Sequence, residues 1–141
     1  MLVAVDTSPH AERVLRAAFE LAQSIEARVH VFHALDAAPA DDGLGSLGEA
    51  TQRLSALIGG AEATLEPLII SRGATWRRIL DAAERINADV VVIGSRAARR
   101  DDQVLGSTAA RVVDRADRPV LVVHERRTLL HLIGVHPLGR N

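Results

Sequence analysis

The residues best suited to binding chemistry lie between Gly94 and Ser107. Gly94 ends an apolar run, Gly106 and Ser107 begin a segment with helical apolar spacing, and the loop between them is rich in arginine. The first amides of a helix have no partner inside that helix, and guanidinium groups pair well with phosphate oxygens. The segment therefore predicts an anion site. The alternative is a solvated charge run, partly neutralised by Asp101 and Asp102.

Catalytic and metal chemistry find little support in the remaining residues. The chain has no cysteine, which excludes thiol nucleophiles and Cys-ligated zinc. Ser107 has no evident base and lies in no Gly-x-Ser-x-Gly elbow. His30 and His33 lie three residues apart on one predicted strand, so they point to opposite faces and cannot share a metal. His131 and His136 have no acidic company, so we predict no metal site and no catalytic residue.

Composition limits the class of protein. A chain of 141 residues with 48% hydrophobic content predicts one globular domain. The net charge of −1 argues against a nucleic-acid binder held by bulk electrostatics. No run approaches the roughly 18 apolar residues of a membrane span, and the first residues enter a strand rather than a signal peptide. We therefore expect no membrane partner and a cytoplasmic location.

Strands and helices alternate along the chain. Short apolar runs predict five strands, at about residues 2–5, 28–35, 65–71, 90–93 and 120–123. Helical spacing lies between them, with starts expected at Ser8-Pro9, Glu49, Thr75 and Gly106, and with residues 36–48 as a loop. This alternation is typical of a doubly wound α/β sheet with parallel strands. Pro67 cannot donate to a ladder and favours an edge position for the third strand.

The tail departs from this alternation. Residues 126–141 contain six large aliphatic side chains, too many for a free solvated end. We expect this extension to dock on its own domain, residues 1–125. A sharper hypothesis is that it covers the edge of the fifth strand or crosses to a second subunit.

Five pieces of sequence, in the same order, resemble the universal stress protein family. They are Val-Ala-Val-Asp-Thr-Ser at the start, Val-His-Val-Phe-His-Ala in the second strand, Ala-Asp-Val-Val-Val-Ile-Gly-Ser-Arg, Leu-Gly-Ser-Thr, and Arg-Pro-Val-Leu-Val-Val. The similarity covers about residues 1 to 125. It implies a Rossmann-like, five-stranded parallel sheet of order 3-2-1-4-5 with helices on both faces, and a homodimer joined through the fifth strands.

The resemblance also implies a site for ATP. One branch of the family uses Gly-x-x-Gly, nine residues, then Gly-Ser or Gly-Thr; here Gly94, Gly106 and Ser107 match. Ala97 stands in place of the middle glycine, and eight residues rather than nine follow it. The remaining candidates from the resemblance are Asp6 for the adenosine, Thr108 for phosphate, and Ala4, Ala34 and Ile93 for the base pocket; the guanidinium of Arg99 is a further candidate for phosphate. The alternatives are that Asp6 caps the first helix, that Thr108 only begins a helix, and that the three pocket residues belong to the core.

The implied function is an adenine-nucleotide-binding module in stress signalling, with ATP and Mg²⁺ as the expected ligands and cyclic AMP as an alternative. A nucleotide-free member that works through protein–protein contacts is the second hypothesis, because of Ala97 and the shortened loop. A slow ATP hydrolase is the third hypothesis, although no residue in the sequence can be recognised as a general base.

Overall fold

The computed structural model describes residues 1–35, 43–59, 65–95, 105–124 and 131–133. The elements are β1 (Leu2–Ala4), α1 (Ala11–Ser24), β2 (His30–Leu35), α2 (Gly43–Ile58), β3 (Ile69–Arg72), α3 (Thr75–Arg85), β4 (Val91–Gly94), α4 (Ser107–Arg115), β5 (Val120–Val123) and β6 (His131–Ile133). None of the helices among these residues is both long and apolar enough to cross a bilayer.

The strands form one sheet of order β3-β2-β1-β4-β5-β6. The pairs among β1 to β5 are parallel, which confirms the predicted doubly wound sheet and its order 3-2-1-4-5. β6 adds to this sheet as an antiparallel strand beside β5. β3 lies at one edge, as Pro67 predicted, and the proline itself falls between the bridge at Leu65 and the start of the strand.

Two hydrophobic cores cover opposite faces of the sheet. Alternate residues of a strand point to opposite faces, so Val3 of β1 packs with α1 and α2, whereas Leu2 packs with α3 and α4. In the α1–α2 core the fully buried side chains include Leu15 and Leu54. The α3–α4 core includes Ile79 and Val112. The strands thus have both faces covered, which explains their continuous apolar sequences.

Two helices begin at residues other than those predicted. α2 starts at Gly43, inside the segment predicted as a loop. Its glycines favour a loop, whereas apolar residues at helical spacing continue from this segment to the fully buried Leu54. α1 starts at Ala11 rather than at Pro9, because the Ala11 amide donates to the Ser8 carbonyl in a turn before the helix.

The connection from α3 to β4 is fixed at two points. Asn87 adopts a φ of 50°, the left-handed conformation that ends helices and that asparagine tolerates. Arg118, just before β5, donates from Nη1 to the carbonyl oxygens of Ala83 and Ala88, at 2.9 and 2.8 Å. The same guanidinium holds both oxygens of Asp117. These bonds tie the end of α3 and the entry of β4 to the start of β5.

Candidate functional site

The chain reverses its winding between β1 and β4. β1 is followed by α1, which packs on one face of the sheet, whereas β4 is followed by α4, which packs on the other. β1 and β4 are nevertheless direct neighbours in the sheet. Adjacent parallel strands whose connections leave on opposite faces create a crevice at their carboxyl ends, where open α/β sheets bind ligands.

Asp6 lies at this crevice, two residues after β1, and is half-buried. Its Oδ1 accepts a hydrogen bond from the Ser8 amide at 3.0 Å and a short one from the Ser8 hydroxyl. These bonds form an Asx-type turn, so Asp6 shapes the loop before α1 rather than capping the helix. The loop in turn holds the carboxylate at the carboxyl edge of the sheet.

His33 is the site-adjacent residue whose role the sequence did not reveal. Its ring lies beside the end of β1, is only 6% exposed, and its Nδ1 is 2.9 Å from the Val5 carbonyl oxygen. A carbonyl can only accept, so Nδ1 carries the proton and donates. The Val5 amide donates to the Phe32 carbonyl of β2 at 3.0 Å. Val5, immediately before Asp6, is therefore held to β2 through both its backbone groups.

Gly94 and Ser95 mark the carboxyl end of β4. A Cβ built on Gly94 would lie 3.2 Å from Cγ2 of Val14 in α1, which is tighter than ordinary packing. The glycine thus lets α1 approach the sheet, a structural role that stands beside its match to the nucleotide motif. Ser95 is buried, and its amide donates to the Val123 carbonyl at 2.9 Å, which extends the pairing with β5 beyond the strand.

The helix start predicted at Gly106 is present. Gly106 is the N-cap residue of α4, and its carbonyl accepts from the Ala110 amide at 2.9 Å. Its φ of −58° is accessible to any residue, so the glycine is not required there by backbone conformation. Ser107 is exposed and Thr108 is half-buried at the first turn. Because α4 precedes a strand parallel to β4, its N-terminus and its positive dipole end lie at the carboxyl edge of the sheet.

The three candidates for a base pocket share one face of the sheet. Ala4 and Ile93 are partners across β1 and β4, and both are buried in the α3–α4 core. Ala34 is half-buried and packs against the same core. They lie on the face that α4 covers, at or near the last positions of their strands. Ala97 and Arg99 lie outside the described residues.

Features elsewhere lie apart from this crevice. A cavity of about 390 Å³ is lined by α2, β2 and the segment before β3, and contains none of the candidate residues. At the amino end of β2, burial lowers the pKa of His30, and the Glu66 carboxylate partly opposes this. These features do not extend the site.

Comparison with known proteins supplies the family context. The model of the universal stress protein family matches residues 1–124. Universal stress protein G of Shigella flexneri is 38% identical over 79 residues, which is 53% of this chain and 54% of that protein. The match thus spans about half the length of this curated relative.

Solved structures share the fold. A universal stress protein from Archaeoglobus fulgidus in complex with dAMP is 31% identical with a TM-score of 0.67, over 86% of this chain and 94% of that one. A universal stress protein in complex with cAMP is 26% identical with a TM-score of 0.65, over 87% of this chain and 94% of that one.

Proposed function

The chain belongs to the universal stress protein family, and we propose that it binds an adenine nucleotide at the carboxyl ends of β1 and β4. The observation that carries the proposal is the placement of Asp6 and the N-terminus of α4 at the same edge of the sheet, beside the point where the winding reverses. A carboxylate can accept from ribose hydroxyls or the adenine amine, and helix amides can donate to phosphate.

The described residues fit such a ligand. Asp6 offers a half-buried carboxylate, and alanines at positions Ala4 and Ala34 leave the ends of β1 and β2 without bulk. Ser107 and Thr108 add hydroxyl groups at the start of α4. Two relatives with the same fold were solved with dAMP and with cAMP, which supports an adenine mononucleotide as the common part of the ligand. ATP with Mg²⁺ would need the loop that contains Ala97 and Arg99 to take its additional phosphates.

The first test asks whether nucleotide is present and what is bound. Freshly purified protein is denatured by heat, and the supernatant is analysed for adenine nucleotides by chromatography and mass spectrometry. Calorimetric titrations with ATP, cyclic AMP and dAMP, each with and without Mg²⁺, then compare the ligands. Stoichiometric nucleotide or saturable heat supports the proposal, and the absence of both contradicts it.

Two variants with matched controls locate the site. Asp6→Asn keeps an acceptor for Ser8 but removes the charge, and hydrogen bonds to charged groups contribute about 1.5–3 kcal/mol, so affinity should fall roughly 10- to 100-fold. Asp114→Asn, on the exposed side of α4, should leave it unchanged. Gly106→Val should obstruct phosphate, whereas Gly48→Ala has open space around it and should bind normally.

Two observations favour a nucleotide-free protein. The Asp6 carboxylate already accepts a hydrogen bond from Ser8 in its own loop. The close approach of Val14 explains the glycine at position 94 without a ligand. Under this second candidate, the protein acts through protein–protein contacts, and the variants above do not change the heat of a nucleotide titration.

ATP hydrolysis has no comparable support. ATP turnover with Mg²⁺ that is lost on substitution at the crevice would be needed to establish it. A homodimer joined through the fifth strands, as the resemblance implies, would require the outer edge of β5 that β6 occupies.

A further inference from the structure

The outer edge of β5 is occupied by a strand of the same chain. β6 runs antiparallel to β5, with Val122 opposite His131 and Val120 opposite Ile133. β5 has the burial of an inner strand: Val120, Leu121 and Val122 are 3%, 5% and 1% exposed. The tail segment thus converts an edge strand into an internal one.

The opposite edge of the sheet is built differently. β3 is half-buried to exposed along its length and ends in Arg72. Arg78 of α3 donates from Nε to the Arg72 carbonyl at 2.9 Å, Pro67 precedes the strand, and Glu66 lies beside it. Charge and proline are the usual means of discouraging a further strand at an edge. β5, with the sequence Val-Leu-Val-Val, has neither within the strand.

We propose that β6 closes the β5 edge within one chain and thereby keeps two copies of the protein from pairing through their fifth strands. A strand has only two hydrogen-bonding edges, and those of β5 are taken by β4 and β6. Without β6, the backbone groups on the outer edge of this apolar strand would be unpaired. The partner that fits this edge is the same strand of a second copy, because two identical edges pair antiparallel about a two-fold axis. β6 and that second copy compete for one surface.

A disulfide tests whether the pairing occurs within a single chain. The protein has no cysteine, so a pair introduced at Val122→Cys and His131→Cys is free of background thiols. Oxidation should give a monomer that is 2 Da lighter by mass spectrometry. Val122→Cys with Leu132→Cys is the control, because a one-residue slip places the two side chains on opposite faces. A disulfide-linked dimer of the Val122–His131 pair would show that the strand is exchanged between copies, and would overturn the proposal.

The second measurement is the mass in solution by sedimentation velocity. The parent chain should sediment as a 15.1 kDa monomer. Leu132→Pro with Ile133→Pro removes both amide donors of these positions, at least one of which faces β5, and should produce dimers or larger assemblies. Leu132→Val with Ile133→Val keeps the donors and should remain monomeric.

A dimeric parent, or a proline variant that stays monomeric with an unchanged circular dichroism spectrum, would contradict the proposal. Neither measurement involves nucleotide, so the outcome is independent of the proposed function.

Discussion

At the residue scale, His33 connects the packing of the sheet to the position of Asp6. Its Nδ1–H satisfies the Val5 carbonyl in a buried setting, one residue before the carboxylate. This polar contact fixes the backbone of Val5 to β2, directly before Asp6.

Replacing His33 should therefore destabilise the protein and displace Asp6. His33→Leu leaves the Val5 carbonyl without its donor, which costs about 1–3 kcal/mol of unfolding free energy. His33→Asn retains a donor and should recover part of that loss. Urea unfolding of both variants measures the difference; equal stabilities for Leu and Asn would mean that the hydrogen bond contributes nothing and that only ring packing matters.

Particular residues show how far the sequence could predict this site. Asp6 and Gly106 could be selected as candidates from the sequence, because Asp6 follows the first apolar run and Gly106 precedes a segment with helical apolar spacing. His33 was considered only as a metal ligand. Its partner is a backbone carbonyl 28 residues away, which is set by the register of β1 and β2. Gly94 was predicted as the end of an apolar strand and as part of the nucleotide motif, and its contact with Val14 depends on how closely α1 packs.

At the element scale, Arg118 holds three segments together. Its side chain is 15% exposed and bonds to the carbonyls of Ala83 and Ala88, while its bidentate contact with Asp117 raises its own pKa and lowers that of the carboxyl. Arginine near a helix end can satisfy carbonyls that lack a partner within the helix.

Arg118→Met should lower the unfolding free energy by about 1.5–3 kcal/mol, since it removes hydrogen bonds from a charged group to partly buried carbonyls. Arg118→Lys should recover little, because an ammonium lacks the fork geometry. Arg16→Ala is the control: its pair with Glu12 is exposed on α1 and contributes only about 0.3–0.5 kcal/mol. Thermal denaturation of the three variants ranks these losses, and a similar loss for Arg16→Ala and Arg118→Met would refute the bridging role.

His30 gives β2 a pH dependence. Burial lowers its pKa in the folded protein, although the Glu66 carboxylate raises it. Between the folded and unfolded pKa values, the unfolded chain binds more protons. The contribution of neutral His30 to stability is therefore fully present above the unfolded pKa of about 6.5. It is lost as the pH falls from that value through the folded pKa.

The expected result is a flatter stability profile for His30→Gln between pH 7.5 and 5, and a steeper one for Glu66→Gln, which loses the opposing charge. Urea midpoints across this range provide the measurement. An unchanged slope in His30→Gln would assign the acid sensitivity to other groups.

Among the elements, those with a buried stripe were predicted better than those at the margins. The apolar runs of β1 to β5 are visible in the sequence because both faces of the sheet are covered. The stripe of α3 is visible because one face of that helix is buried in the α3–α4 core. The start of α2 was not predicted, because its glycines favour a loop. β6 was not predicted as a strand, although the hypothesis that the tail covers the edge of the fifth strand agrees with its pairing to β5. β6 depends on the edge of β5, which is formed elsewhere in the chain.

At the scale of the whole molecule, one sheet serves two cores. Each interior strand contributes alternate side chains to the α1–α2 core and to the α3–α4 core, so neither core can be dismantled without disturbing the strands they share. We therefore expect a single cooperative unfolding transition. Trp76, the one tryptophan of the chain, reports on the α3–α4 side, where the guanidinium carbons of Arg77 and Arg115 lie 5.2 and 4.7 Å from the centroid of its ring.

Leu15→Ala tests this coupling across the sheet. Leu15 is 2% exposed in the α1–α2 core, and its truncation should cost about 2–5 kcal/mol. Because the strands are shared, the urea midpoint observed by Trp76 fluorescence should fall as far as the midpoint observed by far-ultraviolet circular dichroism. Ile79→Ala, in the opposite core, should shift both probes in the same way. If Leu15→Ala lowered only the dichroism midpoint, the two faces of the sheet would unfold separately, and the prediction of one cooperative transition would be wrong.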